Sequence, residues 1–302
     1  MPIGNPERDY ENIVANIAGF EKTHGAELIL VIDAFAGPKA NRLMLDYSVN
    51  ESIIVHKGYF GNPGGARNFG KNLATGDWIS FIDSDDKIDF TNFFQMVFDG
   101  NSCGADLCIG NYEVVSNYGI STKSSEVIDN GNVYRIIARN PGIWRMSFRG
   151  SLAKQIDFPN LRMAEDQIFL ARYRFWDRKV SISNLEVYTY RKNIAGQLTR
   201  NQEAISDLLQ AQVIVIDQFF NESSKDKGSR ILAKIVINQF LTSMRYLGLQ
   251  AVFPLGRAIR KQKGLIRVTQ LTYRLGCTLL AEILHKTQIF IRNFLTRKRE
   301  NQ

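Results

Sequence analysis

Short apolar runs alternate with helical segments over the first 110 residues, and this order leaves few possible architectures. Residues 27–32, 52–55 and 78–82 are rich in β-branched and aromatic side chains, which favour strands. Residues 66–74 follow a cluster of glycine, asparagine and proline and predict a helix between the second and third runs. Strands that alternate with helices predict an α/β fold with a doubly wound, mostly parallel sheet and helices on both faces.

The alternation continues and then becomes less regular. Residues 90–98 predict another helix and residues 105–109 a fourth strand. Further along, residues 180–182 and 186–190 predict two short strands. Ligands of such sheets bind beyond the carboxyl ends of the strands, so polar residues at those ends are the first candidates for a site.

The last third of the chain has a different pattern. Apolar residues recur at helical spacing over residues 204–220 and 231–247, and again near residues 279–295. We therefore predict an α/β domain over residues 1–200 and a helical region over residues 201–302.

The net charge is distributed unevenly. The chain carries 38 Lys+Arg and 30 Asp+Glu, a formal net charge of +8. From Lys225 onward there are 16 basic and three acidic residues, so the preceding residues hold 22 basic and 27 acidic ones. A basic region attached to a mildly acidic body indicates contact of that region with a polyanion or an anionic membrane surface.

The composition excludes several classes of protein. The chain is 44% hydrophobic and 23% charged, which is typical of globular proteins and not of disordered or collagen-like chains. Its three cysteines form no CxxC pair, which argues against a disulfide framework or a zinc knuckle and favours a reducing compartment. The sequence shows neither a signal peptide nor an uncharged apolar run of about 18 residues.

The strand at residues 78–82 ends in four polar residues, Asp83, Ser84, Asp85 and Asp86. Alternate carboxylates at a strand end can share one hard divalent cation, and Mg²⁺ is commonly held by one or two carboxylates together with phosphate oxygens. A polar turn that caps the next helix explains the same residues. The motif alone leaves a metal site and a helix cap open.

A glycine-rich run precedes that strand. Residues 64–70 read GGARNFG, and glycines at the start of a helix expose backbone N–H groups that suit phosphate. Arg67 adds a cation with several donors. A tight turn followed by a helix accounts for this run as well. Residues 65–72 also approach a P-loop, but Asn72 stands where Ser or Thr would bind Mg²⁺.

A second acidic cluster, Glu165 and Asp166, opens a helix that continues with Ile168 and Phe169. Acids in the first turn of a helix are stabilised by the helix dipole, so simple capping is one explanation. The other explanation is a general base, which is a carboxylate held near a reacting hydroxyl.

Taken together, residues 64–86, GGARNFGKNLATGDWISFIDSDD, resemble the core signature of family 2 glycosyltransferases with the GT-A fold. That signature combines an Arg-Asn-x-Gly helix, an Ala-x-Gly turn and an apolar strand that ends in a DxDD-like motif. Residues 165–166 resemble the family's later acidic pair, residues 188–191 its tyrosine-rich strand, and residues 2–5 the end of its opening strand. The resemblance covers about the first 200 residues and points to bacterial polysaccharide or glycan assembly.

The resemblance implies an inverting enzyme that moves one sugar from a nucleotide-sugar, in particular a UDP-sugar, to a hydroxyl of a glycan or lipid-linked acceptor. It implies Mg²⁺ or Mn²⁺ as cofactor. Asp83 and Asp85 would hold this metal, with Asp85 under the diphosphate. Asp166 would take the proton from the acceptor hydroxyl.

The resemblance also implies which residues bind the nucleotide. Pro2 would lie at the base, Asp33 would contact the base or ribose, and Arg67 would contact the nucleotide. Asp83 would contact the ribose if it does not bind the metal.

Three features depart from the family pattern. A single acid, Asp33, stands where the family usually has two. The Gln-x-x-Arg-Trp motif of processive synthases is absent after Asp166, which favours transfer of a single sugar. Pro2 falls where the family leaves its first strand, so we expect either a true start upstream of Met1 or a truncated domain with a partly open base pocket.

The sequence gives weaker indications about the partners of the acceptor half and of the basic region. Trp144 and Arg149 are candidates for the acceptor pocket, although packing explains Trp144 equally well.

Basic residues beside apolar helical stripes, around residues 257–263 and 286–299, favour docking on an anionic bilayer and thus a cytoplasmic protein at the inner face of the cell membrane. A helical extension with a solvated basic face is the alternative. We expect no nucleic-acid partner, because no nucleic-acid module is recognised.

Two other kinds of protein remain compatible with the sequence. One is a catalytically inactive GT-A domain that acts as a membrane-associated partner in polysaccharide assembly. The lone Asp33 favours it, whereas the retained Asp83, Asp85 and Asp166 argue against it. The other is a nucleotidyltransferase, which needs a glycine-rich and basic loop after the first strand, and residues 4–8 match that loop poorly.

Overall fold

The computed structural model describes residues 1–33, 37–116, 121–124, 133–192, 202–221, 227–248, 252–261, 272–273 and 276–277. The chain forms two compact units, Met1–Ala211 and Gln212–Gln302. A helix that begins at Gln202 starts in the first unit and ends in the second. The boundary near residue 200 stays a prediction.

The described residues of the first unit form both strands and helices. Its strands are β1 (Pro2–Ile3), β2 (Leu28–Asp33), β3 (Ile53–Gly58), β4 (Trp78–Ser80), β5 (Lys87–Ile88), β6 (Leu107–Ser116), β7 (Ser121–Ser124), β8 (Met146–Arg149) and β9 (Val180–Lys192). Its helices are α1 (Pro6–Phe20), α2 (Pro38–Asp46), α3 (Pro63–Leu73), α4 (Phe90–Ser102), α5 (Val133–Arg139), α6 (Gly150–Ala153), α7 (Glu165–Tyr173) and the start of α8 (Gln202–Asn221).

The first three strands form a parallel sheet in the order β1-β2-β3. Pro2 lies opposite Val31, and Leu28 lies opposite Ile53. The centre of β2 is buried, which explains its unbroken apolar run, because a strand covered on both faces has no polar side. The parallel register brings the carboxyl end of β2, at Asp33, to the same edge as the end of β1.

The remaining strands form a mixed sheet in the order β4-β8-β6-β9-β5, with β7 paired to β6. The β6–β9 pair is parallel, and β8 runs antiparallel to both β4 and β6. Together with the helical C-terminal region, these layers confirm the predicted α/β fold class.

The two short strands predicted at residues 180–182 and 186–190 are one strand, and that expectation was wrong. Ile109 pairs with Ile182, but Asn111 pairs with Glu186, so the ladder shifts register where the polar residues occur. The side-chain amide of Asn111 donates to the carbonyl of Asn184 at 3.2 Å. The polar residues therefore form a bulge within one continuous strand and not a break between two strands.

Helix α1 was not predicted, although its start has clear signals. Asn5 caps the helix by accepting the N–H of Arg8 at 3.1 Å, and Pro6 occupies the first turn. Ile13 and Ile17 are buried on one face, in the core that also contains Leu30 of β2. The helix lies between β1 and β2 in sequence and places the side chains of Asn12 and Asn16 near the end of β4.

Helix α3 begins three residues before the predicted helix. Asn62 caps it by accepting the N–H of Gly65 at 2.8 Å, and Pro63 occupies the first turn. The helix ends at Leu73 because Ala74 has an extended backbone, with ψ of 136°. The glycine-rich run is therefore the first half of a capped helix.

The second unit contains the end of α8, then α9 (Lys227–Leu247) and α10 (Val252–Arg260). Helices predicted at residues 204–220 and 231–247 are confirmed. Gln212 and Ser243 form a buried hydrogen bond of 3.2 Å between α8 and α9. The apolar pattern near residues 279–295 lies outside the described residues. Within the described part of the chain, every helix is too short or too polar to cross a membrane.

Candidate functional site

The turn after β4, formed by Asp83, Ser84, Asp85 and Asp86, alternates in exposure; we call it the acidic turn. Asp83 and Asp85 are half-buried, with side chains 28% and 18% exposed, whereas Ser84 and Asp86 are buried. The two accessible carboxylates are therefore the alternate ones, as a shared cation requires. Ser84 and Asp86 point the other way and attach the turn to the protein.

Two asparagines of α1 bond the backbone of the acidic turn. The side-chain amide of Asn12 donates to the carbonyls of Ser84 at 2.8 Å and Asp86 at 2.6 Å. Asn16, which is buried, donates to the same Asp86 carbonyl at 2.8 Å and accepts the N–H of Ile88 at 3.2 Å. Sequence reasoning missed both residues. Their spacing of four places them on one face of a helix, which was the available signal.

Side chains complete the attachment of the turn. The Ser84 hydroxyl donates to Asp9 at 2.9 Å, and Asp86 accepts the N–H of Arg191 at 2.7 Å. Burial, reinforced by the charges of Asp83 and Asp85, raises the pKa of Asp86 to about 9. Asp86 is thus a neutral carboxyl of the framework at ordinary pH, and Asp83 and Asp85 are the two acids of the turn that reach the surface.

Arg8 supplies a cation beside the turn. Its guanidinium forms two contacts with Asp9, of 2.5 and 2.8 Å, and a longer one of 3.4 Å with Asp85. Since Asp9 also accepts the Ser84 hydroxyl, Arg8 is attached to the same framework. The first turn of α1 therefore contributes charge next to the candidate metal ligands.

Arg67 of α3 joins the two acidic clusters of the site. Its guanidinium donates to Asp83 at 2.6 Å and to Glu165, and its side chain is buried. The resemblance implied contact of Arg67 with the nucleotide. The structure places its guanidinium between two carboxylates, so Arg67 links the acidic turn to α7, and its contact with the nucleotide stays a prediction.

Glu165 and Asp166, which we call the acidic pair, occupy the first turn of α7. Asp166 is half-buried, and its carboxylate accepts the N–H of Gln167 at 2.7 Å. Burial, followed by the charge of Glu165, raises the pKa of Asp166 to about 8. Burial also raises the pKa of Glu165, against the opposing effect of Arg67. A carboxyl with a pKa near the working pH is suited to proton transfer.

Ala164, the residue before the acidic pair, has a left-handed backbone with φ of 64°. An alanine in this region is strained relative to glycine, because its Cβ approaches the carbonyl oxygen. Such strain is found where surrounding contacts over-determine the backbone, often at functional sites.

The nucleotide residues implied by the resemblance lie on the parallel sheet. Asp33 is half-buried at the end of β2, and its carboxylate accepts the N–H of Gly61 at 2.9 Å. Pro2 lies on the neighbouring strand β1. The structure thus brings Pro2 and Asp33 to one edge, on the sheet that precedes the acidic turn in the chain.

The two acceptor candidates are both engaged in packing. Trp144 is buried, with its ring stacked on Tyr188 at 4.6 Å and on Tyr190 at 5.6 Å. The Tyr188 hydroxyl accepts the N–H of Asp83 at 3.2 Å, so this stack supports the acidic turn. Arg149 bonds Asn101 and a backbone carbonyl and lies over the Trp78 ring.

The donor set fits a divalent cation in number and type. Asp83 and Asp85 offer two alternate carboxylates, and Mg²⁺ commonly takes one or two carboxylates with phosphate oxygens and waters. Among the described residues, no group of three or more His, Cys, Asp or Glu side chains is placed to enclose a metal. The remaining ligands would therefore come from a bound diphosphate and from water.

Known proteins share this sequence pattern. The profile of Glycosyl transferase family 2 matches residues 14–174, more than half of the chain. Glycosyltransferase GlyG of Streptococcus pneumoniae serotype 4 is 24% identical over 173 residues, which are 52% of this chain and 57% of GlyG. EpsH of Bacillus subtilis strain 168 is 28% identical over 215 residues, which are 66% of this chain and 62% of EpsH. The matched part thus spans about three fifths of each relative.

Solved structures share the fold. Staphylococcus aureus TarS 1–349 in complex with UDP-GlcNAc matches with a TM-score of 0.70 at 19% identity, over 86% of this chain and 80% of TarS 1–349. The mannosyltransferase PcManGT from Pyrobaculum calidifontis, solved with GDP-Man and Mn²⁺, matches with a TM-score of 0.52 at 12% identity, over 92% of this chain and 79% of PcManGT. With the extent of the profile match and the two acidic clusters joined by Arg67, the chain belongs to glycosyl transferase family 2.

Proposed function

We propose that this protein is an inverting glycosyltransferase that moves one sugar from a UDP-sugar to a hydroxyl of a glycan or lipid-linked acceptor. The observation that carries the proposal is the link Asp83–Arg67–Glu165, which joins an accessible pair of carboxylates to a carboxyl of raised pKa. One cluster suits the leaving diphosphate and the other suits the attacking hydroxyl. Membership of the family and the UDP-GlcNAc bound by TarS support the same assignment.

The donor half would use residues from both sheets. Pro2 and Asp33 would contact the base and ribose at the edge of the parallel sheet. Mg²⁺ or Mn²⁺ would be held by Asp83 and Asp85, and the Mn²⁺ of PcManGT supports this. When bound, the cation would neutralise the charge that develops on the leaving diphosphate. Arg8 would add positive charge at the same place.

The acceptor half would use Asp166 as general base. The acceptor oxygen would attack the anomeric carbon and form the new glycosidic bond, while the bond from that carbon to the diphosphate oxygen breaks. Asp166 would receive the hydroxyl proton, and the nucleoside diphosphate would leave with the electron pair. Attack on the face opposite the leaving group inverts the anomeric carbon, which is why the base and the metal ligands belong to separate clusters.

The basic C-terminal region would dock the enzyme on an anionic membrane at the cytoplasmic face. Arg257, Arg260 and Lys261, at and just after the end of α10, are exposed and add positive charge there. Attraction of clustered Lys and Arg to anionic lipid is worth on the order of 1 kcal/mol per residue near the surface. A lipid-linked acceptor would be presented at that surface. In this scheme residues 1–200 form the catalytic domain and residues 201–302 the helical region.

Thermal shift measurements test the donor half directly. UDP, GDP, dTDP, CDP and ATP are each added to the full chain with and without Mn²⁺, since a ligand that binds the folded state raises the Tm. We expect a shift with UDP that requires Mn²⁺ and that is lost in Asp85→Asn. Asp99→Asn is the matched control, because Asp99 is an exposed residue of α4 outside the site.

Release of UDP from a panel of UDP-sugars then tests turnover. Slow release with water as acceptor, abolished in Asp166→Asn, supports the enzyme. Binding of UDP without turnover, in the presence of crude lipid-linked acceptors, would instead indicate the catalytically inactive partner of polysaccharide assembly. A Tm shift with ATP alone would contradict the proposal.

A further inference from the structure

One face of α3 is bonded to the chain segment formed by residues 156–160. The side chain of Asn68 bonds Phe158 twice: its amide group donates to the Phe158 carbonyl at 2.9 Å, and its oxygen accepts the Phe158 N–H at 2.8 Å. One turn later, the ammonium of Lys71 donates to the carbonyl of Ile156 at 2.5 Å and to Asp157 at 2.8 Å. These bonds fix the backbone of the segment against the helix.

Packing at the other end of the same face is equally close. A Cβ at Gly64 would collide with the carbonyl oxygen of Pro159. The guanidinium of Arg67 lies 5.7 Å from the centre of the Phe158 ring. The residues of α3 that face the segment recur at spacings of three and four, as one helical face requires. The segment is therefore attached along two turns of α3.

The attached segment leads directly into the acidic pair. Five residues lie between Phe158 and Ala164, whose left-handed backbone turns the chain into α7. The ring of Phe158 also stacks on Phe169 of α7, with centroids 4.3 Å apart and planes 6° apart. Phe158 thus contacts both α3 and α7, and a shift of its backbone would be passed to Glu165 and Asp166.

Asn68 is the residue whose geometry is hardest to replace. A primary amide is the side-chain group that can offer one donor and one acceptor to the same backbone residue, as a neighbouring strand does. Asp keeps only the acceptor, and Ala keeps neither. Because Arg67 is adjacent to Asn68, α3 contacts Asp83, Glu165 and the 156–160 segment through consecutive residues.

We propose that Asn68 is a positioning residue, which fixes the general base Asp166 relative to the donor-side carboxylates by bonding the 156–160 segment to α3. The inference rests on the proposed function for the role of Asp166. Asn68 bonds Phe158 and not the acidic pair, so it acts through Phe158 and the chain that follows it. Its loss should impair the chemical step and leave donor binding intact.

The test compares Asn68→Ala with Asn72→Ala in the full chain. Asn72 is the same residue type on the same helix one turn later, and it is exposed. Three quantities are measured: the Kd for UDP with Mn²⁺, the kcat for UDP release from the active UDP-sugar, and the pH profile of kcat. For Asn68→Ala we expect kcat to fall on the order of 10- to 100-fold, as for a misplaced catalytic group. The Kd for UDP should stay within about 2-fold of wild type.

The pH profile separates positioning from general destabilisation. If the acidic pair is released from its packed position, the acidic limb of the profile should move to lower pH, because burial is the main cause of the raised pKa of Asp166. Asn68→Asp keeps one of the two bonds to Phe158 and should fall between wild type and Asn68→Ala. It also serves as the informative variant if Asn68→Ala does not fold.

Hydrogen exchange gives a readout that does not depend on activity. In Asn68→Ala the peptide that covers residues 154–164 should lose protection, whereas Asn72→Ala should match wild type. Unchanged kcat and pH profile in both Asn68 variants would overturn the inference, and so would a parallel rise in the Kd for UDP. If the segment is protected in a wild-type chain that never releases UDP, the proposed function is overturned, and the positioning role of Asn68 with it, although the bond between Asn68 and the segment stands.

Discussion

The acidic turn and the acidic pair are held in the protein by different kinds of interaction. The backbone of the turn is bonded by the neutral amides of Asn12 and Asn16. The pair is held by a charge, the guanidinium of Arg67, and is preceded by the strained backbone of Ala164. These neutral bonds hold the backbone of the turn, and its two accessible carboxylates have charged partners, Arg67 for Asp83 and Arg8 for Asp85. The same Arg67 ties Glu165 of the pair into the interior.

This difference has a consequence for protonation. Asp83 and Asp85 alternate with buried neighbours and keep part of their side chains exposed to solvent. Asp166 is half-buried beside Glu165, and desolvation together with that neighbouring charge raises its pKa to about 8. In the proposed scheme, the partly exposed carboxylates would hold the cation, and the carboxyl of raised pKa would receive the proton.

The largest effect should come from Asp166→Asn, which removes the base and keeps the shape of the side chain. General bases contribute roughly 10²- to 10⁴-fold, so we expect kcat for UDP release to fall by about that factor. The Kd for UDP should not change, because the acidic turn is untouched. Asp177→Asn, in an exposed pair with Arg174, is the control. If UDP binding fell as much as kcat in Asp166→Asn, the two clusters would not have separate roles in donor binding and proton transfer.

Arg67→Met should be the most damaging change to stability. It leaves Glu165 buried without its cation, and breaking a buried ion pair in this way costs about 3–5 kcal/mol. Urea unfolding of the full chain measures the loss. Arg42→Met removes an exposed i,i+4 pair with Asp46 and should cost about 0.5 kcal/mol or less. Similar losses in the two variants would mean that the acidic pair does not depend on Arg67.

The pH dependence of turnover should report the acidic pair. A general base acts in its deprotonated form, so kcat should increase as pH rises through the pKa of Asp166, about 8, and then level off. In Glu165→Gln the neighbouring negative charge is gone, so the limb should move to lower pH. Because the two acids interact, the measured value belongs to the pair. A limb that stays in place in Glu165→Gln would rule out this electrostatic origin.

The smallest effect should come from Ala164→Gly. Glycine adopts φ of 64° without strain, and the release of strain outweighs the extra chain entropy of glycine, so we expect a gain of up to about 1 kcal/mol. Ala171→Gly in the interior of α7 should instead destabilise by about 1 kcal/mol. Thermal unfolding of both variants measures the difference. Destabilisation by Ala164→Gly would mean that the turn before the pair is not strained.

Much of the site could be predicted because it is carried by one contiguous stretch. Residues 64–86 contain Arg67, Asp83 and Asp85 in their final spacing, and the helix and strand that bear them are both found in the structure. Glu165 and Asp166 could be recognised from their place at the start of a helix. The fold class followed from alternating runs whose strands are observed at β2, β3 and β4.

The supporting residues could not be predicted in the same way. Asn12, Asn16 and Asn68 are ordinary polar side chains of helices, and nothing local shows which backbone groups they bond. Their partners are 70 to 90 residues away in the chain. The register shift that makes β9 continuous also depends on a partner strand. Ser183 and Asn184 interrupt the apolar pattern, and only the pairing with β6 shows that the strand continues through them.

Local chemistry in the sequence thus specifies which groups the site contains: two alternate carboxylates, one arginine and a later acidic pair. The tertiary structure specifies the charge state and the partners of each group. It makes Asp86 a buried neutral carboxyl, gives Asp166 a pKa near 8, and places Arg67 between Asp83 and Glu165. The physical reason is that charge state and orientation depend on desolvation and on distant partners, both of which exist only once the chain has folded.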